Sequence, residues 1–291
     1  MSAPLKYSLP AFAYYKMRQM SILIPVYVFL FGAALGSFVG LATVRIPLGE
    51  SVLAPRSHCR SCRRTLPWYE NIPLFSYLFL RGKCRGCHVK ISPRYFWIEA
   101  ATAALTLAAY YRFQPWPRFL LYVMCLIIPL LILMIIDWER LLLPDILTVP
   151  GIGLGFLVHW ADGMYFRPYS WGASHLKLLL DSGAGVLAGG ATLFLLGEIY
   201  RRMRNREGMG GGDIKMAAML GAFFGWKAIF FIFFLASIVG VALGLVLILF
   251  RGQSKEVPLP FGSCLGLAAL GYLFCGEWLL RHYLHLLHRV L

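Results

Sequence analysis

Leu130-Leu-Ile-Leu-Met-Ile-Ile-Asp137 decides how this chain is read: seven apolar residues run without a break into a carboxylate. A second acid, Asp213, closes Gly210-Gly-Gly-Asp213 immediately before another apolar stretch. An ionisable residue at the edge of a bilayer is costly, and it is retained where a partner or a function holds it. Two carboxylates that meet on one face can share a proton, which is the minimum equipment of an aspartic protease. The residues beside them fit that use. Gly208, Gly210, Gly211 and Gly212 remove side-chain bulk, permit positive φ and let a peptide backbone approach Asp213. The alternative is a flexible turn in which Asp213 caps the next helix.

The wider composition agrees with a membrane setting. The chain is 59% hydrophobic and 14% charged, outside the usual range for water-soluble domains. Apolar runs occur at about 21–44, 95–112, 117–136, 146–160, 181–199, 214–225, 227–250 and 261–280. An all-α polytopic membrane protein with about eight transmembrane helices is expected, the fourth and sixth being short. The first run follows Lys16 and Arg18 but is too long for a signal-peptide core and leads into no small-residue cleavage site, so it reads as a retained helix. The net charge of +15 does not point to nucleic acid, because the basic residues lie between spans and no aromatic-basic recognition module accompanies them.

Charge sets the expected orientation. Segment 45–94 carries Arg45, Arg56, Arg60, Arg63, Arg64, Arg81, Lys83, Arg85, Lys90 and Arg94 against Glu50 and Glu70, so the positive-inside rule places it in the cytoplasm. Counting spans from there puts the loops 137–145, 200–215 and 251–260 on the same side. Asp137 and Asp213 then share a membrane face by parity.

Within the same segment, Cys59-Arg-Ser-Cys62 and Cys84-Arg-Gly-Cys87 are two Cys-x-x-Cys pairs. Four thiolates at this spacing suit a closed, structural zinc site, with the intervening hairpin as a ribbon. His58 and His88 flank the pairs, but the cysteines already complete the ligand set. The expected division is an N-terminal periplasmic segment 1–20, a first transmembrane helix 21–44, a small cytoplasmic zinc-ribbon-like domain 45–94 and a transmembrane catalytic domain 95–291. Cys125, Cys264 and Cys275 fall inside spans and read as small buried hydrophobes.

Asp137 has a bland reading, an interfacial carboxylate paired with Arg140. It also has a competitor for the catalytic role, Asp145 in Leu143-Pro-Asp145, which stands where a helix N-cap is wanted. Two further classes stay open on the residues alone: a transporter whose acids line an ion path, and a noncatalytic protein of a secretion assembly. Transporter acids are expected nearer the bilayer midplane, at broken helices.

Taken in order, Gly36-Ser-Phe38, Arg45-Ile-Pro47, the two cysteine pairs, Glu70-Asn-Ile-Pro-Leu74, Ser92-Pro-Arg-Tyr95, Asp137 to Leu143-Pro-Asp145, Glu207 to Lys215 and Pro260-Phe-Gly262 resemble the bacterial type IV prepilin peptidases. The resemblance implies an inner-membrane enzyme that removes the short basic leader of type IV prepilins, or of type II secretion pseudopilins, on the cytoplasmic side. It implies Asp137 and Asp213 as the catalytic pair, with Asp145, Gly210, Gly212 and Lys215 in supporting roles. It further implies methylation of the new N-terminus by S-adenosylmethionine, for which Gly82 is the residue singled out. The family's Gly-Ser-Phe-Leu-Asn pattern is broken here, where Gly40 takes the place of the asparagine. Because the enzyme's own cytoplasmic face is basic, a basic leader is expected to meet local acids such as Glu70 or Glu207 while its apolar helix packs between the spans.

Overall fold

A computed structural model describes residues 11–166, 174–205, 209–251 and 259–290. Among these residues the regular structure is helical, with two isolated β-bridges. The long helices are α1 (Ala11–Arg45), α3 (Arg94–Arg112), α6 (Asp145–Ala161), α7 (His175–Arg204), α8 (Gly211–Phe224), α9 (Trp226–Arg251) and α10 (Phe261–Val290). A five-residue helix, α2 (Phe75–Phe79), lies between α1 and α3. The third apolar run is one continuous rod made of α4 (Trp116–Tyr122), a π-turn at Val123–Ile127 and α5 (Ile128–Arg140). All eight apolar runs are therefore helical. Among the described residues, five helical stretches are long and apolar enough to cross a membrane: Leu23–Leu48, Trp116–Arg140, Asp145–Phe166, His175–Arg204 and Trp226–Leu249. The protein is a multi-pass, all-helical membrane protein.

The chain forms two compact units, one of Met1–Phe38 with Ser57–Tyr111 and the other of Val39–Arg56 with Arg112–Leu291. In the first unit, α1 and α3 approach through small residues. A Cβ at Gly32 would lie 2.7 Å from Thr106 Cβ, and one at Gly36 2.6 Å from Glu99 Cα. Packing without side-chain bulk is how helices associate where no hydrophobic effect drives them together. The expected hairpin between the cysteine pairs is not a β-ribbon. That segment holds a 3-10 turn at Trp68–Glu70 and then α2, because Pro67 and Pro73 withhold ladder donors and Phe75–Phe79 is apolar enough to pack as a helical turn.

In the second unit α8 is the inner helix. Met216 to Phe223 are all buried, the pattern of a helix surrounded on every side. Its length of 14 residues is too short to cross a bilayer unaided. The neighbours that enclose it are stripped of bulk. A Cβ at Gly185 of α7 would run into the Gly221 backbone, one at Gly189 into the Ala217 carbonyl, and one at Gly155 of α6 would sit 2.6 Å from Ala222 Cβ. Ser182 then donates to the Ala222 carbonyl at 2.7 Å, fixing the register between α7 and α8.

The far end of this unit is held by charge. Arg118 grips Asp162 with two hydrogen bonds, at 2.6 and 3.3 Å, while its guanidinium lies over the stacked rings of Phe113 and Tyr122. His159 bridges the Phe223 carbonyl (3.1 Å) and Asp181 (3.1 Å). His159 thus ties the C-terminal end of α6 to that of α8. Replacing Gly185 by Leu is expected to destabilise the protein by about 3 kcal/mol or more, read as a lower unfolding temperature in detergent, whereas the same change at Gly153, which faces open space, is expected to leave it within about 1 kcal/mol.

Candidate active site and thiol cluster

The two acids come together inside the second unit. Asp137 lies in the last turn of α5, one turn before the helix ends at Leu141 in a left-handed conformation (φ 52°) whose N–H returns to the Asp137 carbonyl at 2.8 Å. It is 4% exposed. Asp213 is the third residue of α8 and reaches back toward the amide of Gly210, the N-cap. That is half of a capping box, so the helix-capping role expected of Asp213 is present alongside its second relationship. The charge of Asp137 bears on Asp213, and the turn that carries Asp213 packs through Gly212 on Leu143, six residues beyond Asp137.

The bland reading of Asp137 is not what the structure shows. Its Oδ2 accepts the backbone N–H of Ser263 at 2.6 Å and lies 2.9 Å from the Ser263 hydroxyl. The partner is thus the first turn of α10 and not Arg140. Sequence reasoning missed Ser263. The signal was present in Pro260-Phe-Gly262, since a helix N-terminus with free amides is what an isolated carboxylate needs.

Glycine supplies room at this site. A Cβ at Gly262 would stand 3.1 Å from Asp137 Cγ and Oδ2, and one at Gly212 2.8 Å from Leu143 Cβ. Leu143 is buried and wedges the α5–α6 corner between these two glycines. None of Gly210, Gly211 and Gly212 adopts positive φ, so the conformational freedom they offer is not used there. Gly211 instead faces open space, which leaves one side of the Asp213 turn free for a substrate backbone. Gly208 and Glu207 lie outside the described residues.

Asp145 is the first residue of α6, whose N-cap is Pro144, and it makes no side-chain cap. Its carboxylate is held instead by Lys215, with Nζ 2.6 and 2.7 Å from the two oxygens. Two of the four supporting residues singled out in the sequence, Asp145 and Lys215, are therefore paired with each other. Both are substantially exposed, so the pair contributes little stability, about 1 kcal/mol at most.

In the first unit, the Sγ atoms of Cys59, Cys62, Cys84 and Cys87 all lie within 4.8 Å of one another, and those of Cys59 and Cys87 are 3.7 Å apart. A tetrahedral zinc with Zn–S bonds near 2.3 Å holds its sulfurs about 3.8 Å apart. The two Cys-x-x-Cys turns have the same construction. Cys59 and Cys84 each donate N–H to a carbonyl five residues on, Arg64 and Val89, at 2.9 Å. Arg63 and His88, each following the second cysteine, are left-handed (φ 56°) and donate back to the first. His88 is thereby spent on the turn, and neither it nor His58 belongs to the cluster.

The protonation of the sulfurs points the same way. The backbone N–H of Cys62, then that of Ser61, draws the Cys59 thiol down to about 6. Cys62 is pushed up to about 11: the Arg64 amide favours its thiolate, but desolvation and the sulfurs of Cys59, Cys87 and Cys84 oppose a second negative charge so close by. A divalent cation removes that conflict.

Glu70 is not available to a basic leader. It is buried and paired with Arg64, with Arg85 3.7 Å away, and ties the two cysteine turns to the segment between them. Gly82 sits in a left-handed turn (φ 64°) where a Cβ would meet Tyr77 Oη at 2.8 Å. Its glycine is required by conformation, and the space beside it is filled by protein.

Fold and site together define a multi-pass, all-helical membrane protein in which two carboxylates converge at helix ends and four cysteines cluster. Residues 30–113 match the Bacterial Peptidase A24 N-terminal domain, and residues 124–245 match the Type IV leader peptidase family. Among curated relatives, the prepilin leader peptidase/N-methyltransferase of Aeromonas hydrophila is 34% identical over 282 residues, covering 88% of this chain and 92% of the relative. That of Klebsiella pneumoniae is 37% identical over 227 residues, 76% and 92% of the two chains, and that of Myxococcus xanthus 36% over 233 residues, 80% and 65%. No solved structure matches. This chain belongs to the type IV leader peptidase family.

Cys59→Ser and Cys84→Ser are each expected to abolish metal binding by the purified protein, measured by elemental analysis. Cys125→Ser, outside the cluster, is expected to retain it.

Proposed function

We propose that this protein cleaves the leader of type IV prepilins, or of type II secretion pseudopilins, with Asp137 and Asp213 as its catalytic pair, and methylates the N-terminus that cleavage exposes. The observation that carries the peptidase reading is the convergence of two acids from distant helix ends, α5 and α8, near enough for the charge of Asp137 to bear on Asp213. With one proton shared between them, one carboxylate accepts a proton from water as its oxygen attacks the scissile carbonyl, and the other donates to the carbonyl oxygen. Collapse of the tetrahedral adduct passes a proton to the leaving nitrogen, releasing a carboxylic acid and an amine and returning the pair to its starting charge. Gly211 leaves an approach to the pair open, while Leu143, Gly212 and Gly262 keep the corner compact.

The domain layout proposed is a periplasmic N-terminal segment 1–20, a first span 21–44, a cytoplasmic zinc-binding domain 45–94 and a peptidase domain 95–291. Helices α3, α8 and α10 are read as further spans beside the five of clear spanning length, giving eight. The basic residues of 45–94 favour the cytoplasmic side of the bacterial inner membrane for that segment, and parity then carries the α5 and α8 ends to the same side. Zinc bound by Cys59, Cys62, Cys84 and Cys87 has no open position for water and serves to fold the small domain. S-adenosylmethionine would supply an electrophilic methyl group to the free amine. The filled space at Gly82 offers it no cradle, so no step is assigned to that residue. The substrate's apolar helix enters between the spans from the bilayer.

The test is cleavage of a membrane-inserted prepilin by the wild type and by Asp137→Asn, Asp145→Asn and Asp213→Asn, followed by intact mass, which also registers an added methyl group. Loss of about a thousandfold or more is expected for the 137 and 213 variants, with Asp145→Asn still cleaving. Normal cleavage by either of the first two would sink the catalytic assignment.

A further inference from the structure

The Ser263 hydroxyl sits between two acceptors. Its Oγ is 2.8 Å from the Met134 carbonyl and 2.9 Å from Asp137 Oδ2. A hydroxyl carries one hydrogen and accepts through its lone pairs, so it cannot donate fully to both. Its backbone N–H is committed separately. The first bond of α10 runs from Cys264 N–H to the Pro260 carbonyl (3.3 Å), which leaves the Ser263 amide without an acceptor in its own helix, and it goes to Asp137 Oδ2 at 2.6 Å. Ser263 is 4% exposed, so water does not substitute for either acceptor.

This leaves two complete arrangements. With Asp137 ionised, the hydroxyl hydrogen points to Oδ2. With Oδ2 protonated, that proton is donated to Oγ and the hydroxyl hydrogen turns to the Met134 carbonyl. The Ser263 amide, its hydroxyl and Asp137 Oδ2 have partners in both, and only a rotation about the Ser263 C–O bond separates them. We propose that Ser263 is a positioning residue for the carboxylate pair, a hydroxyl rotor that supports Asp137 equally in its charged and neutral forms. An unsatisfied buried polar group costs about 1–3 kcal/mol, and a carboxyl that must alternate between base and acid meets that cost in one state or the other unless its partner can reverse its role.

The proposal rests on Asp137 belonging to the catalytic pair, and the experiment separates the two ideas. Steady-state cleavage of a membrane-inserted prepilin is measured for wild type, Ser263→Thr, Ser263→Ala, Ser263→Cys and Asp137→Asn, with unfolding temperature in detergent as a control. The backbone donor survives in all four variants. Ser263→Ala and Ser263→Cys are expected to lower kcat about ten- to a hundredfold with little change in KM, and Ser263→Thr, which keeps the hydroxyl, to stay within about threefold of wild type. Ser263→Cys fills the same space without a strong donor, so its loss is not a packing effect. The rotor is overturned by wild-type kcat in Ser263→Cys, by equal losses in Thr and Cys, or by an effect confined to KM. Full cleavage by Asp137→Asn is a different failure, that of the catalytic assignment itself.

Discussion

Asp137 has to be met by a donor, and much of the second unit is arranged so that it is. A carboxylate in the last turn of an apolar helix sits at the negative end of that helix's own dipole, where its charge is disfavoured. The N-terminus of α10 reverses the balance by presenting Ser263, whose amide and hydroxyl both reach Oδ2. That contact requires α10 to begin against the end of α5. It also requires Gly262, since any Cβ there would press on the carboxylate. The buried Leu143 then fills the corner, and the α5–α6 connection, the α8 N-terminus and the start of α10 converge on one place.

Burying α8 makes the second acid's position equally determined. Fourteen residues fall short of the full hydrocarbon thickness, so a span by α8 depends on the helices around it to cover its ends. The glycines of α6 and α7 allow backbone-level approach, and Ser182 sets the register. Asp213 needs no anchor of its own beyond the Gly210 amide. The asymmetry is physical: Asp137 is fixed by specific donors, whereas Asp213 is fixed by where its helix lies.

Much of this was legible in the sequence because hydrophobic runs are long-range statements that local context seldom overrides. All eight apolar runs are helices, and the four cysteines are gathered as their spacing implies. Asp137 and Asp213 were singled out from their places at the ends of apolar runs. What sequence did not disclose were the partners. Arg140 looked like the partner of Asp137 because it is near in the chain, but tertiary packing supplied Ser263 from a helix 126 positions away. Glu70 looked like an exposed acid in a basic loop, yet it is the buried anion that Arg64 and Arg85 share. The glycines before Asp213 could have taken positive φ and do not; Gly212 serves close packing against Leu143, which its neighbours in sequence do not reveal. Side-chain pairing between distant segments has no periodicity to betray it, which is why these readings failed while the helices did not.

The two units answer the same electrostatic problem in different ways. Each gathers anionic groups closer than water would permit. In the first, four sulfurs converge, and two of them are already driven apart in proton affinity, to about 6 at Cys59 and about 11 at Cys62. Protons alone leave such a cluster divided between thiol and thiolate, and a divalent cation with four fixed bonds would equalise them and close the structure. In the second unit two carboxylates converge, and on the proposed reading a cation bound as tightly would occupy the place where water reacts. A single shared proton is the weaker and more mobile counter-charge, and it would suit a centre that changes state with every turnover. Such a proton can move only if the groups around it accept either distribution, which is the condition that a reversible hydroxyl beside Asp137 meets and a permanent cation would not.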